Sequence, residues 1–138
     1  MRPITEIIIH CSATEAGKDF KAADIRRWHM EGNGWKDIGY HYVIDIDGTI
    51  ETGRPLDQAG AHCTNHNANT IGICYVGGLW NGKAKDTRTL KQQAAMQQLI
   101  KALKLCFPTI KKVSGHRDYA KKACPCFDAG GVYQNLVG

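Results

Sequence analysis

Two short apolar runs stand out in the pattern of hydrophobic and polar positions along the chain. Residues 4–12 (ITEIIIHCS) contain three consecutive isoleucines, and residues 70–78 (TIGICYVGG) form a second run. Unbroken apolar runs of this length, with polar or glycine residues around them, are typical of strands that are covered on both faces. We therefore predict two buried strands, one near the N-terminus and one in the middle of the chain.

Two longer segments have the periodicity of amphipathic helices. In residues 19–32 the apolar and aromatic positions fall at helical spacing, with Asp19 as the start cap and Gly32 at the end. Residues 89–107 give the clearer pattern, because Thr89 and Gln92 match a capping box. The apolar face of this second helix consists of Met96, Leu99, Ile100 and Leu103.

The remaining segments complete an alternation of strands and helices. Residues 40–53 (YHYVIDIDGTIETG) alternate from Tyr40 to Ile46 and contain Asp-Gly, which predicts a hairpin. Residues 113–116 predict a short last strand, residues 128–136 a terminal helix, and residues 78–86 (GLWNGKAKD) a polar loop. This alternation predicts an α/β fold. We expect residues 1–138 to form a single domain, with a central mixed β-sheet flanked by helices.

Composition and charge are those of an ordinary globular chain. Its 138 residues are 43% hydrophobic and 22% charged, with a net charge of +5. No apolar run is long enough for a membrane span or a signal-peptide core, so we expect synthesis in the cytoplasm and no membrane insertion. Without a secretory signal, the six cysteines favour free thiols or metal ligands over disulfides.

Basic residues gather near the C-terminus, which can favour a polyanionic partner or simply provide a solvated surface. They are Lys101, Lys104, Lys111, Lys112, Arg117, Lys121 and Lys122. No nucleic-acid-binding motif accompanies them, so we do not expect a nucleic-acid partner.

The candidate chemistry lies in residues 115–128 (GHRDYAKKACPCFD) and at the end of the first predicted strand. Catalytic zinc sites take three protein ligands and leave one position to water. His10, His116 and Cys124 could provide such a set if the two distant segments meet. From the residues alone, a structural histidine is the more common case than a metal ligand, and Cys-Pro-Cys does not have the Cys-x-x-Cys spacing of zinc ribbons.

Four segments, in this order, resemble the zinc-dependent N-acetylmuramoyl-L-alanine amidases of the type 2 family. They are residues 7–14 (IIIHCSAT), 25–54 (IRRWHMEGNGWKDIGYHYVIDIDGTIETGR), 69–78 (NTIGICYVGG) and 115–128. Within that family the pattern is most similar to the small amidases of T-odd phages. Peptidoglycan recognition proteins share the fold that this resemblance implies.

The resemblance implies a function and a set of site residues. The family's metal ligands fall on His10, His116 and Cys124, which would hold one Zn²⁺ per chain. Its tyrosine and lysine, the catalytic helpers, fall on Tyr40 and Lys122. The implied reaction is hydrolysis of the amide bond between N-acetylmuramic acid and L-alanine in peptidoglycan. Zinc would polarise the carbonyl and acidify a water, and Lys122 would stabilise the oxyanion.

A polar loop before the second buried strand would border the substrate groove in this family. Its candidate substrate-binding residues are His62, His66 and Asn67. We expect a monomer that acts on the cell wall after release or delivery, in the manner of an endolysin. The alternative is a peptidoglycan-binding module of the same fold without catalysis, and a nucleic-acid binder is a weaker rival.

Two positions depart from the family pattern. Many relatives have a glutamate, acting as general base, where this chain has Cys74, and a buried cysteine usually behaves as a small hydrophobic residue. Cys126 stands where a small residue is usual and could compete with Cys124 for the metal. The Lys-Ala-Cys-Pro element favours Cys124 as the ligand. The identity of the general base stays open.

Overall fold

The computed structural model describes residues 1–138, and a five-stranded sheet lies at its centre. From edge to edge the strands are β4 (Ile50–Thr52), β3 (Tyr42–Ile44), β5 (Thr70–Tyr75), β1 (Glu6–Cys11) and β8 (Lys112–Gly115). A smaller sheet consists of β2 (Thr14–Glu15), β6 (Gly78–Trp80) and β7 (Lys83–Ala84). The helices are α1 (Ala22–Asn33), α2 (Leu90–Cys106) and α3 (Ala129–Tyr133), with 3-10 turns at His116–Asp118 and Gln134–Leu136.

The central sheet is mixed, as the sequence predicts. Strand β1 is parallel to both of its neighbours, β5 and β8, and β3 is also parallel to β5. Only β4, the second strand of the predicted hairpin, runs antiparallel to its neighbour. All residues of β1 and β5 are buried, because side chains cover both faces of the sheet. The predicted α/β fold with a central mixed sheet is confirmed.

Each face of the sheet packs against a different helix. Ile7 and Ile9 of β1 join Met96 and Ile100 of α2 in the larger apolar cluster. The opposite face carries the smaller cluster, to which α1 contributes Ile25. Strand alternation places the even-numbered residues of β1 on this second face. The face covered by α1 is therefore the one that receives the side chain of His10.

All three predicted helices form, the terminal one as α3 followed by the 3-10 turn at Gln134–Leu136, but the ends of the first helix differ from the prediction. Lys21 is the N-cap of α1, and its backbone N–H donates to the Asp24 carboxylate at 2.9 Å. Gly34, with φ of 70°, ends the helix. Asp19 instead pairs with the Lys21 side chain at 3.0 Å. The carboxylate of Asp24, the third residue of the helix, therefore takes the capping role that was predicted for Asp19.

Residues 78–84 form a hairpin rather than the predicted loop. Strands β6 and β7 are antiparallel, and β6 also pairs with β2. The turn between them is Asn81-Gly82, and both residues have positive φ, 50° and 74°. This is the backbone geometry that an Asn-Gly pair favours in two-residue hairpin turns. None of the helices has the length and apolar character needed to cross a membrane.

Candidate metal and catalytic site

Two segments distant in sequence bring metal-ligating side chains together at the carboxyl ends of the parallel strands. His10 is the penultimate residue of β1 and is fully buried. His116 directly follows the last residue of β8, and Cys124 lies in the loop after the 3-10 turn. Parallel strands end at the same edge of a sheet, which is where α/β folds place their ligand sites. The meeting of distant segments, which spacing alone left open, therefore occurs in the structure.

The separations of the ligand atoms fit a zinc ion. The ligand atoms of His10, His116 and Cys124 all lie within 4.8 Å of one another. The two Nδ1 atoms are 3.2 Å apart, and Cys124 Sγ is 4.0 Å from His10 Nδ1. Zinc bonds of about 2.0 to 2.3 Å in a tetrahedron would separate the ligand atoms by about 3.3 to 3.6 Å. The donor set of two imidazoles and one thiol is also one that zinc accepts.

Burial keeps the histidines of the site neutral, which is the form that binds a metal. Loss of hydration is the largest cause that lowers the pKa of His10, followed by the neighbouring imidazoles. The pKa of His116 is lowered for the same reason, with a further contribution from Lys122. The Cys124 sulfur accepts a hydrogen bond from the Cys11 backbone N–H at 3.2 Å.

Tyr40 lies beside the first candidate ligand. Its ring centroid is 5.0 Å from that of His10, and burial followed by nearby thiols raises the pKa of its phenol well above its ordinary value. The hydroxyl is therefore protonated at neutral pH and can donate a hydrogen bond. Tyr40 precedes β3 and packs in the α1-side cluster, whereas Tyr42 packs on the opposite face. The alternation predicted from Tyr40 to Ile46 thus holds only within β3.

Cys74 is one of the two positions that depart from the family pattern described in the sequence analysis. It is the register partner of His10 in β5 and is fully buried. Burial raises the pKa of its thiol well above the ordinary value. A protonated, buried thiol cannot remove a proton from water at neutral pH. Cys74 accordingly packs as a small apolar side chain against Val43 and Val76.

A cavity of about 370 Å³ opens next to the candidate ligands. Its lining includes the exposed Lys122 together with His116. The complete lining is Asn33, Trp35, Ala61, His62, Cys63, Thr64, Asn67, His116 and Lys122. This is the size of an ordinary small-molecule site. The cavity therefore provides room for a substrate beside the three ligand atoms.

The three candidate substrate-binding residues differ in their placement. His62 and Asn67 line the cavity, but the Asn67 side-chain oxygen accepts hydrogen bonds from the backbone N–H groups of His62 and Cys63, both at 3.0 Å. His66 does not line it, and its ring stacks on Tyr119 with centroids 3.9 Å apart. The side chain of Asn67 thus shapes the loop, and His66 joins that loop to the segment that carries His116.

Trp35 and Asn33 belong to the cavity wall, although the sequence reasoning did not single them out. Both lie at or just after the end of α1, and Trp35 is 36% exposed. The available signal was a tryptophan in a glycine-rich, polar segment, Gly-Asn-Gly-Trp-Lys, where no apolar periodicity accounts for it. An exposed aromatic ring at a cavity mouth is a common contact for ligands.

Comparisons with known proteins agree with this geometry. The family model described as N-acetylmuramoyl-L-alanine amidase matches residues 1–127. The endolysin of Klebsiella phage KP32 is 42% identical over 125 residues, covering 90% of this chain and 82% of that protein. The endolysin of Escherichia phage T7 is 39% identical over 128 residues, covering 88% and 80%. These matches confirm the resemblance to the type 2 amidases and their T-odd phage members.

A solved structure extends the likeness to the fold. The N-acetylmuramoyl-L-alanine amidase LysC from Clostridium intestinale URNW superposes with a TM-score of 0.76 at 27% identity. The match covers 90% of this chain and 77% of that one.

Proposed function

The chain belongs to the N-acetylmuramoyl-L-alanine amidase family, and we propose that it cuts peptidoglycan with one zinc ion held by His10, His116 and Cys124. The activity of this family is hydrolysis of the amide bond between N-acetylmuramic acid and L-alanine. The chain is accordingly an enzyme of the endolysin type. The observation that carries the zinc proposal is the convergence of three ligand atoms within 4.8 Å, from segments more than 100 residues apart.

In the proposed reaction the metal and the side chains near it have different chemical roles. When bound, zinc supplies the Lewis acidity that polarises an amide carbonyl and acidifies a water. Lys122 faces the same cavity as His116, so its ammonium group can stabilise the negative charge that develops on the carbonyl oxygen. Tyr40, protonated beside His10, donates a hydrogen bond to the reacting oxygen atoms. Cys74 takes no part in proton transfer because it is buried and protonated.

The site is complete within one chain. All three proposed ligands and both proposed helpers come from the same 138 residues, so a monomer suffices for activity. The proposed place of action is the bacterial cell wall, reached after release or delivery. This proposal follows the phage endolysins to which the chain is similar.

Digestion of purified sacculi tests which bond is cut. We expect new N-terminal L-alanine, intact glycan strands and no new reducing sugar ends. A chelator should stop the reaction, and added zinc should restore it. New reducing ends would contradict the amidase proposal, whereas new N-termini on another residue would move the cleavage to a peptide bond. A protein that binds sacculi without releasing any product would be the non-catalytic binding module.

Matched variants test the two proposed helpers. Lys122→Ala should keep its zinc and fold but lose turnover by about 10²–10³-fold, the typical cost of a lost oxyanion donor. Lys121→Ala is the control, since this neighbouring lysine is also exposed but does not line the cavity. Tyr40→Phe should likewise retain zinc while turnover falls. Equal turnover in the two lysine variants would remove Lys122 from the mechanism.

A further inference from the structure

A chain of hydrogen bonds leads from His10 away from the metal side into the loop before β5. His10 Nε2 lies 2.8 Å from His62 Nδ1, and His62 Nε2 lies 3.2 Å from Thr70 Oγ1. Thr70 Oγ1 in turn lies 2.6 Å from the backbone carbonyl oxygen of His66. We propose that His62 is a positioning residue, which holds His10 in the tautomer whose bare Nδ1 faces His116 and Cys124. This inference rests on the proposed zinc site.

The donor and the acceptor of each of these hydrogen bonds follow from the last group in the series, the carbonyl oxygen of His66. A carbonyl oxygen only accepts, so the single hydroxyl proton of Thr70 points to His66. The Thr70 oxygen must then accept from His62, which places the proton of the neutral His62 ring on Nε2. His62 Nδ1 is consequently bare and accepts from His10. The proton of His10 is therefore on Nε2, and its Nδ1 is left free.

That free nitrogen is the one on the metal side. His10 Nδ1 lies 3.2 Å from His116 Nδ1 and 4.0 Å from Cys124 Sγ. Metal-binding histidines usually donate their second ring N–H to a fixed acceptor, which sets the tautomer and the ring orientation. Here the acceptor is another imidazole, and its own tautomer is set by a threonine. We call this series of hydrogen bonds, from His10 through His62 and Thr70 to the His66 carbonyl, the relay. The relay thus connects a backbone carbonyl with the ring of a proposed zinc ligand.

The fold makes room for the ring of His62. Along β5 the α1-side face presents Thr70, Gly72 and Cys74, and the imidazole of His62 lies on the glycine. A Cβ on Gly72 would come within 2.7 Å of two ring carbons, and a Cβ on Gly60 within 2.7 Å of Cδ2. Neither approach is possible for a real side chain. Both glycines are therefore required for the ring to lie between Thr70 and His10.

The loop that carries the relay is itself fixed. The side-chain oxygen of Asn67 holds the backbone N–H groups of His62 and Cys63. The ring of His66 stacks on Tyr119, whose hydroxyl donates to the buried Glu6 carboxylate at 2.6 Å. Both nitrogens of His62 are engaged in the relay, so none is left for a substrate. The proposed role of His62 is therefore to orient His10, although its ring borders the cavity.

The tautomers can be read directly in the zinc-free protein. Long-range ¹H–¹⁵N correlation spectra of the full chain, after removal of metal, distinguish the protonated from the bare nitrogen of each neutral imidazole. We expect His10 and His62 both to carry the proton on Nε2. A proton on His10 Nδ1 would overturn the proposal. This readout does not depend on catalysis, so the relay and the proposed amidase reaction can fail separately.

A matched pair at Thr70 tests the consequence for the metal. Thr70→Val keeps the shape but removes the hydroxyl, whereas Thr70→Ser keeps the hydroxyl. Zinc affinity, measured by competition with a chelator, should fall in the valine variant by up to the roughly 10–100-fold that is typical when a ligand loses its hydrogen-bond partner, because Thr70 acts on His10 through His62. The serine variant should stay near the wild-type affinity. Equal zinc affinity in the valine and serine variants would contradict the positioning role.

His62→Phe provides a second variant if the valine substitution perturbs β5. It should weaken zinc binding by a similar factor, because His10 loses its acceptor. His41→Gln is the control for the loss of a buried histidine, since His41 hydrogen-bonds Gly72 and Gln58 but not His10. The control should keep the zinc affinity even if it lowers stability. A loss of affinity that is equal in both variants would show a general effect of stability and overturn the relay.

Discussion

Cys124 and Cys126 are separated by a single residue, Pro125, but only Cys124 belongs to the group of ligand atoms that converge with His10. The sulfur of Cys126 points to the carbonyl oxygen of Gly78 at 3.5 Å, and its φ of 72° turns the chain away from the site. The Lys-Ala-Cys-Pro element favours Cys124, with Cys126 as a possible competitor for the metal. The positive φ that separates them is a local backbone feature, and no spacing rule reveals it.

We expect Cys124→Ser to lower the bound zinc far more than Cys126→Ser. A serine hydroxyl is a poor replacement for a thiolate at a zinc site. Metal content after dialysis, measured by mass spectrometry on both variants, checks this. If Cys126→Ser loses the metal and Cys124→Ser keeps it, the proposed ligand set is wrong.

Asp45 is a buried carboxyl group whose ionisation should affect stability. It is 2% exposed, and its Oδ1 has no hydrogen-bond partner. Burial and the neighbouring Glu51 raise its pKa from 3.8 to about 7, although Lys21 Nζ lies 3.4 Å from Oδ2. Between these two pKa values the folded state holds a proton that the unfolded state has lost. The contribution of Asp45 to stability therefore falls as pH rises from about 4 to about 7 and then levels off.

Asp45→Asn, which stays neutral at every pH, should remove this contribution to the pH dependence. The measurement is the free energy of unfolding in urea at about pH 5 and about pH 8. The loss on going to the higher pH should be smaller in Asp45→Asn than in the wild type. Asp47→Asn is the control, since Asp47 is exposed on the same hairpin and its pKa is lowered rather than raised. An identical pH profile for Asp45→Asn and the wild type would contradict the raised pKa.

At the scale of elements, the strength of the local signal decided what the sequence could predict. Strands β1 and β5 and helix α2 follow from long apolar runs or sustained periodicity, and all three are confirmed. The hairpin of β6 and β7 lacks alternation, because its positions from Trp80 to Ala84 are largely exposed. Its one clear signal is the turn pair Asn81-Gly82. Short exposed strands are stabilised by pairing with neighbouring strands, and their sequences show no alternating pattern that would predict them.

Gln92, a residue of the predicted capping box of α2, also connects this helix to the central sheet. Gln92 accepts from the Thr89 backbone N–H at 2.9 Å, as the capping box predicts. Its side-chain nitrogen also donates to the carbonyl oxygens of Ile44 and Val76, at the ends of β3 and β5. The sequence predicted the cap but not these two contacts with the sheet. They depend on how α2 lies across the strands.

Gln92→Ala should therefore cost more than the loss of a cap alone. It removes the Gln92 partner from the Val76 carbonyl and from the Thr89 N–H, whereas the Ile44 carbonyl still accepts from the Val76 N–H at 3.0 Å. Each buried group left unsatisfied costs about 1–3 kcal/mol. We expect a total loss of at least about 2 kcal/mol in the free energy of unfolding, measured in urea. Gln97→Ala is the control, because Gln97 is exposed on the same helix and should change stability by less than about 0.5 kcal/mol. Equal losses in both variants would contradict the bridging role of Gln92.

At the scale of the whole molecule, the site depends on contacts that are remote in sequence. His10 and His116 are 106 residues apart, and only the order β5-β1-β8 brings their strands together. Periodicity predicts strands but not which strands become neighbours. The resemblance to a known family supplied the ligand set in advance. The relay through His62 was not predicted, because it depends on the bare backbone of Gly72 in the neighbouring strand.

Because the proposed ligands come from two segments more than 100 residues apart, zinc should bind the folded chain and stabilise it. At a free zinc concentration of 100 times Kd, the gain is about 2.7 kcal/mol. For a domain of this size that corresponds to a rise in Tm of roughly 10 °C. Thermal unfolding of the chelator-treated protein, with and without added zinc, measures the shift. Cys124→Ser should unfold near the Tm of the zinc-free wild type and respond little to zinc. A large zinc response that survives in Cys124→Ser would place the stabilising metal at other residues, and no response in the wild type would contradict the site.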